Sequence, residues 1–172
     1  MLSPRTHATF AFRIVEIRMS RYWLMKSEPG TYSLEDLKRD GRTRWDGVRN
    51  YQARNLMRKM EVGDEVLFYH SSASPPGVAG LARVVEEAHP DPTARDPNSG
   101  YYDEKATDED PRWYTVDIEY VAHLPEFVPL ADLKEADGLE DMVVTKRSRL
   151  SVQPVKPEEY EIVCSMGGKG RA

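Results

Sequence analysis

The sequence predicts a single α+β domain built on a curved, partly closed mixed β-barrel that is flanked by short helices. Three observations predict this class. About five short segments have the apolar or alternating pattern of strands, short helices and long connections separate them, and there is no regular strand–helix–strand alternation of the kind found in doubly wound sheets. A chain of 172 residues is long enough for one sizeable core, so one domain is expected.

The first predicted strand covers 22–26 and ends at the turn formed by Pro29 and Gly30. A helix is expected next, with Ser33 as its N-cap, Asp36 three residues later, and Gly41 after its end.

Apolar residues at helical spacing after Asn50 predict a second helix, which we expect 62–64 to close. Residues 65–70 and 77–87 are predicted to form a hairpin of two strands. The stretch 89–111 is long, acidic and rich in proline, which predicts a functional or tethered loop. The remaining predicted elements are a strand at 113–123 with one face in water, a brief helix at 129–133, a strand at 149–155 and a last helix at 157–166.

The chain ends are predicted to lie outside the domain. Residues 1–20 are interpreted as an extension, with Met19 as a candidate natural start, residues 21–168 as the domain and residues 169–172 as a tail. Arg13 interrupts the only apolar run of the extension, so a signal peptide is not expected. No apolar run approaches the ~18 residues of a membrane span. The single cysteine, Cys164, excludes an internal disulfide and favours a reducing, cytoplasmic location.

The distribution of charge is more informative than its sum. The net charge of −5, from 24 basic and 29 acidic residues, argues against a protein that coats nucleic acid non-specifically. Residues 85–112 contain nine acidic and three basic residues, whereas residues 142–156 contain four basic residues and no acidic one. This pattern predicts one basic face and one acidic flank.

The segment 45–54, with the sequence WDGVRNYQAR, is the richest in recognition chemistry. Two aromatic rings, two guanidinium groups and two side-chain amides are what a protein needs to hold a planar, hydrogen-bonding base near a phosphate. We therefore place Trp45, Val48, Arg49 and Asn50 in a candidate base pocket. The alternative is a surface turn that leads into a helix.

Other segments supply further candidates. Trp23, Lys26 and Ser27 lie along and at the end of the first strand, where ligands often meet side chains, although Trp23 could equally be core and Lys26 could pair with Glu28 at the surface. His70 precedes Ser71, but no glycine-flanked elbow surrounds that serine, so a hydrogen-bonding role is favoured over catalysis. The four histidines have no ligand spacing, and neither a metal site nor a cofactor is expected.

Phosphate contacts are expected from basic residues near the pocket. The candidates are Arg49, Arg54, Lys146, Arg147 and Arg149. The alternative for the run 146–149 is a solvated surface.

Several motifs resemble the EVE domain family. They are WxxKSEP at 23–29, WxGVRNxQAR at 45–54, FYHS at 68–71, PGVAG at 76–80, HPDPT at 89–93, PRW at 111–113 and SRLSVxPV at 148–155. The match runs in order from about residue 21 to residue 167. Ser72 departs from the asparagine that often follows the Tyr-His-Ser motif in the family, which removes one possible amide contact.

This resemblance implies a PUA-like fold related to YTH and ASCH domains, with a pocket that accepts a modified base from DNA or RNA and with no catalytic activity. Carried over to matching positions, it implies a pocket made from Trp23, Lys26, Ser27, Val48, Arg49, Asn50, Tyr69, His70, Ser71, Trp113 and Leu150.

The leading hypothesis is therefore a monomeric, non-catalytic nucleic-acid-binding module that holds a modified base in an aromatic pocket. The first alternative is an enzyme that acts on a modified nucleotide or base, with Lys26, Glu28 or His70 as acid-base groups. The second alternative is an interaction module that uses the acidic residues 85–112.

Overall fold

The computed structural model describes residues 21–147 and 149–169, so the predictions for residues 1–20 and for residues 170–172 of the tail lie outside the described residues. The strands are β1 (Tyr22–Ser27), β2 (Arg42–Arg44), β3 (Glu65–His70), β4 (Gly77–Pro90), β5 (Tyr114–Pro129) and β6 (Val152–Val155). The helices are α1 (Leu34–Asp40), α2 (Tyr51–Met57), α3 (Leu130–Glu135), α4 (Val143–Lys146) and α5 (Pro157–Met166), with a 3₁₀ turn at Pro92–Arg95.

The six strands form one mixed sheet in the order β2-β5-β4-β3-β1-β6. Strands β1 and β3 pair in parallel, and the other neighbouring strands pair antiparallel. No pairing among the described residues joins β2 to β6, so the sheet is open. The α+β class is confirmed, but the predicted partly closed barrel is not, since the two end strands, β2 and β6, do not pair with each other.

Strands β1 and β3 are buried on both faces. Successive side chains point in opposite directions and pack into two different core clusters. Trp23 and Met25 belong to a core cluster that also contains residues of α1 and α2, whereas Leu24 belongs to a second cluster with residues of α3, α4 and α5. Leu67 and Phe68 in β3 divide in the same way. The parallel pair is therefore a rigid central support, and its carboxyl end carries the polar residues that follow.

Helix α1 begins and ends as predicted. The Ser33 side chain accepts a hydrogen bond from the Asp36 amide, and the Asp36 carboxylate accepts one from the Ser33 amide, which forms a capping box. Gly41, with φ of +77°, provides the left-handed residue after the helix.

Several predicted boundaries are wrong. Helix α2 stops at Met57, before 62–64, because the amides of Lys59 and Met60 bond three residues back in tight turns. Strand β5 extends to Pro129 because it pairs with β4 as far as Gly77, and β6 starts at Val152. Strand β2 and helix α4 were not predicted, since three or four residues carry too little periodicity to be recognised.

The long loop predicted at 89–111 is found between β4 and β5 as residues 91–113, and it is tethered at both ends. Asp91 is buried at its start, and Trp113 packs with Ala94 and Ala106 in a small separate cluster at its end. The Trp113 indole N–H also donates to the Asp103 carboxylate at 2.8 Å. Of the helices described, none is long and apolar enough to cross a bilayer.

Candidate nucleic-acid interface

A large cavity of about 740 Å³, a volume typical of ligand sites, opens at the carboxyl ends of β1 and β3. Its lining comes from these strand ends, the turn before α1, the segment after β2, the β4–β5 loop and the segment before β6. Its charged lining residues are the cations Lys26, Arg44, Arg49 and Arg149 and the acids Glu28 and Asp46. Cations therefore outnumber acids in the lining by four to two, although the chain as a whole is acidic and two of these cations, Arg44 and Arg49, pair with Asp46 and Asp91.

The segment 45–49 forms one wall of this cavity. The Trp45 amide donates to the Val116 carbonyl at 2.8 Å, which extends the edge of the sheet beyond β2. The Trp45 ring packs edge-on against Phe68 with 5.6 Å between ring centroids, and only 8% of the residue is exposed. Gly47 follows with φ of +79°, a left-handed turn that favours glycine. Trp45 thus anchors the wall in the core and leaves little of its surface exposed at the cavity.

A buried carboxylate fixes the other end of the wall. Asp91 accepts hydrogen bonds from the Gly47 amide at 2.8 Å and from the Arg49 guanidinium at 3.0 Å, and the Thr93 hydroxyl and amide bond its second oxygen. Burial by itself raises the pKa of Asp91, but the hydrogen bonds from Thr93, Gly47 and Arg49 outweigh it, so the pKa of this carboxyl lies below its ordinary value. The carboxylate therefore stays ionised and holds the wall against the β4–β5 loop.

The floor of the cavity is built by the ends of β1 and β3. The Ser71 amide donates to the Ser27 carbonyl at 2.9 Å, which places the two serines side by side. The Lys26 ammonium lies 5.3 Å from the centroid of the Tyr69 ring, and burial lowers the pKa of Lys26. The floor thus offers hydroxyl groups to a ligand, whereas the Lys26 ammonium lies against the Tyr69 ring.

A small cavity of about 300 Å³ adjoins the large one. It is lined by Asn50, Gln52, Lys146, Arg147, Arg149 and Leu150. Arg149 lines both cavities, is exposed, and forms no hydrogen bond or ion pair with another described residue. Lys146 pairs with Asp141 at 3.0 Å and Arg147 donates to the Gln52 side chain at 3.1 Å, both at the surface.

The structure brings together part of the predicted pocket. Lys26, Ser27, Trp45, Val48, Arg49 and Ser71 line the large cavity. Asn50 and Leu150 line the small cavity. Trp23, Tyr69, His70 and Trp113 line neither cavity.

Internal contacts explain why four of the predicted pocket residues line neither cavity. Trp23 is in the core, and its indole N–H donates to the buried Asp64 at 2.9 Å. Tyr69 is 2% exposed and lies in the core cluster on the opposite face of the sheet from Trp45. The His70 ring accepts a hydrogen bond from the first amide of α1, and Trp113 stacks on Tyr51 at 4.8 Å between centroids.

The predicted phosphate-binding residues also fall into two groups, one bonded to the β4–β5 loop and one exposed. Arg49 is engaged by Asp91, Thr93 and the Tyr101 carbonyl, and Arg54 donates to the Arg112 carbonyl at 2.8 Å. Both arginines therefore bind the β4–β5 loop, but only Arg49 is neutralised by a carboxylate of the loop, that of Asp91. Lys146, Arg147 and Arg149 remain exposed around the small cavity.

Sequence reasoning missed several lining residues, including Tyr32, Arg44, Ser72 and Tyr101. Two of these had a signal. Arg44 belongs to a cluster of basic residues around the segment 45–54, and Ser72 departs from the family pattern, with a φ of +50° in a region where asparagine is favoured. Tyr101 lies in the middle of the β4–β5 loop, and no motif there distinguishes it from Tyr102.

A separate group of possible metal ligands lies away from both cavities. Glu86, His89 and Asp117 place ligand atoms within 4.8 Å of one another. The Arg42 guanidinium donates to Glu86 at 2.8 Å and to Asp117 at 2.9 Å, so a cation of the protein already neutralises these carboxylates.

Comparison with known proteins gives three informative similarities besides a family match. The model of the EVE domain family matches residues 21–166. Human thymocyte nuclear protein 1 is 44% identical over 170 residues, which cover 88% of this chain and 76% of that protein. The crystal structure of human THYN1 in complex with 5-methylcytosine containing DNA has a TM-score of 0.81 at 43% identity, and the match covers 88% of this chain and 100% of that one.

A more distant likeness concerns the fold alone. The YTH domain of Zygosaccharomyces rouxii MRB1, in complex with N6-methyladenosine RNA, has a TM-score of 0.50 at 15% identity over 89% of this chain and 90% of that one. The sheet and short helices described above therefore have a YTH-like arrangement.

Proposed function

Because the chain belongs to the EVE domain family, we propose that it is a non-catalytic module that binds nucleic acid by taking up one modified base in the large cavity. The observation that carries this proposal is the large cavity beside the Trp45 wall, in a chain 43% identical to a human protein whose structure contains 5-methylcytosine DNA. A base that carries a 5-methyl group in DNA is accordingly the first ligand to test.

The energies are compatible with this mode of binding. Extruding a base from a duplex costs a few kcal/mol, and contact with an aromatic ring returns about 1–3 kcal/mol per base. Exposed cations at Lys146, Arg147 and Arg149 can contribute phosphate contacts beside the opening. Burial of one methyl group adds about 1 kcal/mol, so we expect a preference for the modified base and incomplete discrimination against the unmodified one.

Of the three acid-base groups that the enzyme alternative would use, one is withdrawn from the candidate site. Lys26 and Glu28 line the large cavity, whereas His70 lines neither cavity and bonds the start of α1. The relatives reported above are named for a nuclear protein or for a DNA complex, and none of those names states a catalytic activity. A partly closed barrel, a cytoplasmic location and a monomeric state remain predictions from the sequence.

The test uses a substitution that fills the cavity and leaves the core residues unchanged. Trp45→Ala would also remove a residue of the core, so we prefer Ser71→Phe, which adds a ring at the cavity floor, with Ser165→Phe on the exposed side of α5 as its matched control. Binding is measured by fluorescence anisotropy with single-stranded and duplex DNA that contains 5-methylcytosine, at low salt. RNA with the same modification is a parallel ligand.

Wild type and Ser165→Phe are expected to bind alike, and Ser71→Phe to bind about 5- to 150-fold more weakly, which corresponds to the loss of one base contact. The proposal is wrong if no modified oligonucleotide binds at low salt, or if the filled cavity leaves affinity unchanged. Turnover of modified nucleosides by the wild type would instead support the enzyme alternative. Binding that survives neutralisation of the basic residues 146–149 would support an interaction module.

A further inference from the structure

The β4–β5 loop contributes one aromatic residue to the large cavity, although the loop belongs to the acidic flank of the molecule. Its tip is fastened through the Tyr101 backbone. The Tyr101 carbonyl accepts two hydrogen bonds from the Arg49 guanidinium, from Nε at 3.0 Å and from Nη2 at 2.7 Å. Since Asp91 also binds Arg49, a single arginine joins the cavity wall to two points of the loop.

The Tyr101 ring, like its backbone, contacts the segment 45–49. It lies directly over Gly47, where an added Cβ would come within 2.7 Å of the ring, and Gly47 has φ of +79°. Glycine is therefore required at this position for two reasons. Any other residue would strain the backbone, and its Cβ would clash with the Tyr101 ring. The Arg49 guanidinium carbon lies 5.5 Å from the ring centroid, which adds a cation–π contact.

In spite of these contacts the ring is not buried. Tyr101 is 46% exposed and lines the large cavity, whereas its neighbour Tyr102 is equally exposed and lines neither cavity. Trp45, the other large aromatic of the same wall, is only 8% exposed and is committed to the core. Tyr101 thus offers more accessible aromatic surface to a ligand than Trp45 does.

We propose that Tyr101 is a recognition residue whose ring contacts the base in the large cavity, so that the acidic loop supplies a planar surface for the ligand. The inference rests on the proposed function, because it assigns a residue to the same site. It also assigns a role to the contacts that Arg49 makes with Asp91 and with the Tyr101 carbonyl. They neutralise the arginine, position Tyr101, and leave phosphate binding to the cations around the small cavity.

The test compares two adjacent tyrosines of equal exposure. Tyr101→Ala and Tyr102→Ala are assayed against the same single-stranded 5-methylcytosine DNA, together with Tyr101→Phe, which retains the ring, and Tyr101→Leu, which retains apolar bulk over Gly47 without a planar face. Thermal unfolding and circular dichroism establish that each variant is folded. Tyr101→Leu serves if Tyr101→Ala does not fold.

We expect Tyr101→Ala and Tyr101→Leu to weaken binding about 5- to 150-fold, the range for the loss of one ring–base contact. Tyr101→Phe and Tyr102→Ala should bind within about twofold of wild type, since a contact made by the ring face does not need the hydroxyl. If wild type binds and Tyr101→Leu binds as well as Tyr102→Ala, the inference alone is overturned. If wild type binds no modified oligonucleotide, the proposed function falls and this inference falls with it.

Discussion

Asn50 illustrates how one residue can serve both the backbone and a candidate site. Its side-chain oxygen accepts a hydrogen bond from the Ala53 amide at 2.9 Å and so caps the start of α2, while the residue also lines the small cavity. A loss of binding after Asn50→Ala could therefore arise from a damaged helix. The two roles must be separated by the choice of substitution.

We predict that Asn50→Ala lowers the free energy of unfolding by about 1 kcal/mol, the usual contribution of an N-cap, and that Asn50→Ser restores most of it because serine also caps. Urea unfolding measures both changes. Asn55→Ala, at an exposed position of the same helix, is the control and should change stability by less than about 0.5 kcal/mol. Equal stability of Asn50→Ala and wild type would contradict the capping role.

At the scale of elements, the end of β3 is joined to the start of α1 by His70. The ring nitrogen Nε2 accepts a hydrogen bond from the Leu34 amide at 3.1 Å, which requires the unprotonated nitrogen. Burial, followed by the charge of His123, lowers the pKa of His70. Other charged groups around this contact are Glu35, which pairs with His123 at 2.8 Å, and Asp36 in the first turn of α1.

This contact predicts a pH dependence of stability. Because the pKa of His70 is lowered in the folded state, its contribution is present above the ordinary histidine pKa of about 6.5 and is lost as the pH falls from there through the folded pKa. His70→Ala should cost about 1 kcal/mol at neutral pH and less in acid.

Urea unfolding of wild type and His70→Ala between neutral and mildly acidic pH measures this difference. A cost that is independent of pH would show that protonation of His70 does not control the contact. A cost that grows in acid would show that the sign is wrong.

At the scale of the whole molecule, internal contacts reduce the number of cations that are available near the candidate site. Arg49 and Arg54 are turned towards the β4–β5 loop, whereas Lys146, Arg147 and Arg149 lie exposed around the small cavity. A chain of net charge −5 therefore has few cations available for a nucleic-acid backbone near its candidate site. We expect specific contacts in the cavity to contribute more than bulk attraction.

We predict a shallow salt dependence. About three phosphate contacts to duplex DNA give a slope of log affinity against log salt near −3, and Arg149→Gln should reduce its magnitude by about 1. Arg149 is chosen because it lines both cavities.

Anisotropy titrations from low to moderate salt measure this slope. Arg83→Gln is the matched control, since Arg83 pairs with Glu119 at 3.3 Å and lines neither cavity. A slope that Arg149→Gln leaves unchanged would remove Arg149 from the backbone contacts.

Local chemistry made much of the fold and part of the candidate site predictable. The capping box at Ser33 and Asp36, the two-sided apolar run of β1 and the helix after Asn50 are all encoded by neighbouring residues. The segment 45–49 was recognisable because its rings, guanidinium and glycine stand together in the chain. Trp23 was ambiguous in sequence, since a tryptophan on a strand can be core or ligand surface, and its bond to Asp64 places it in the core.

The sequence by itself therefore determined the class of the fold, the order of most elements, the family and the wall at Trp45. Only the tertiary structure decided that Arg49 binds Asp91, that His70 faces α1, and that Tyr101 covers Gly47 from more than fifty positions away. The reason is physical. Helical spacing, caps and strand alternation act between close neighbours, whereas a cavity depends on which faces of distant segments meet once the core has packed.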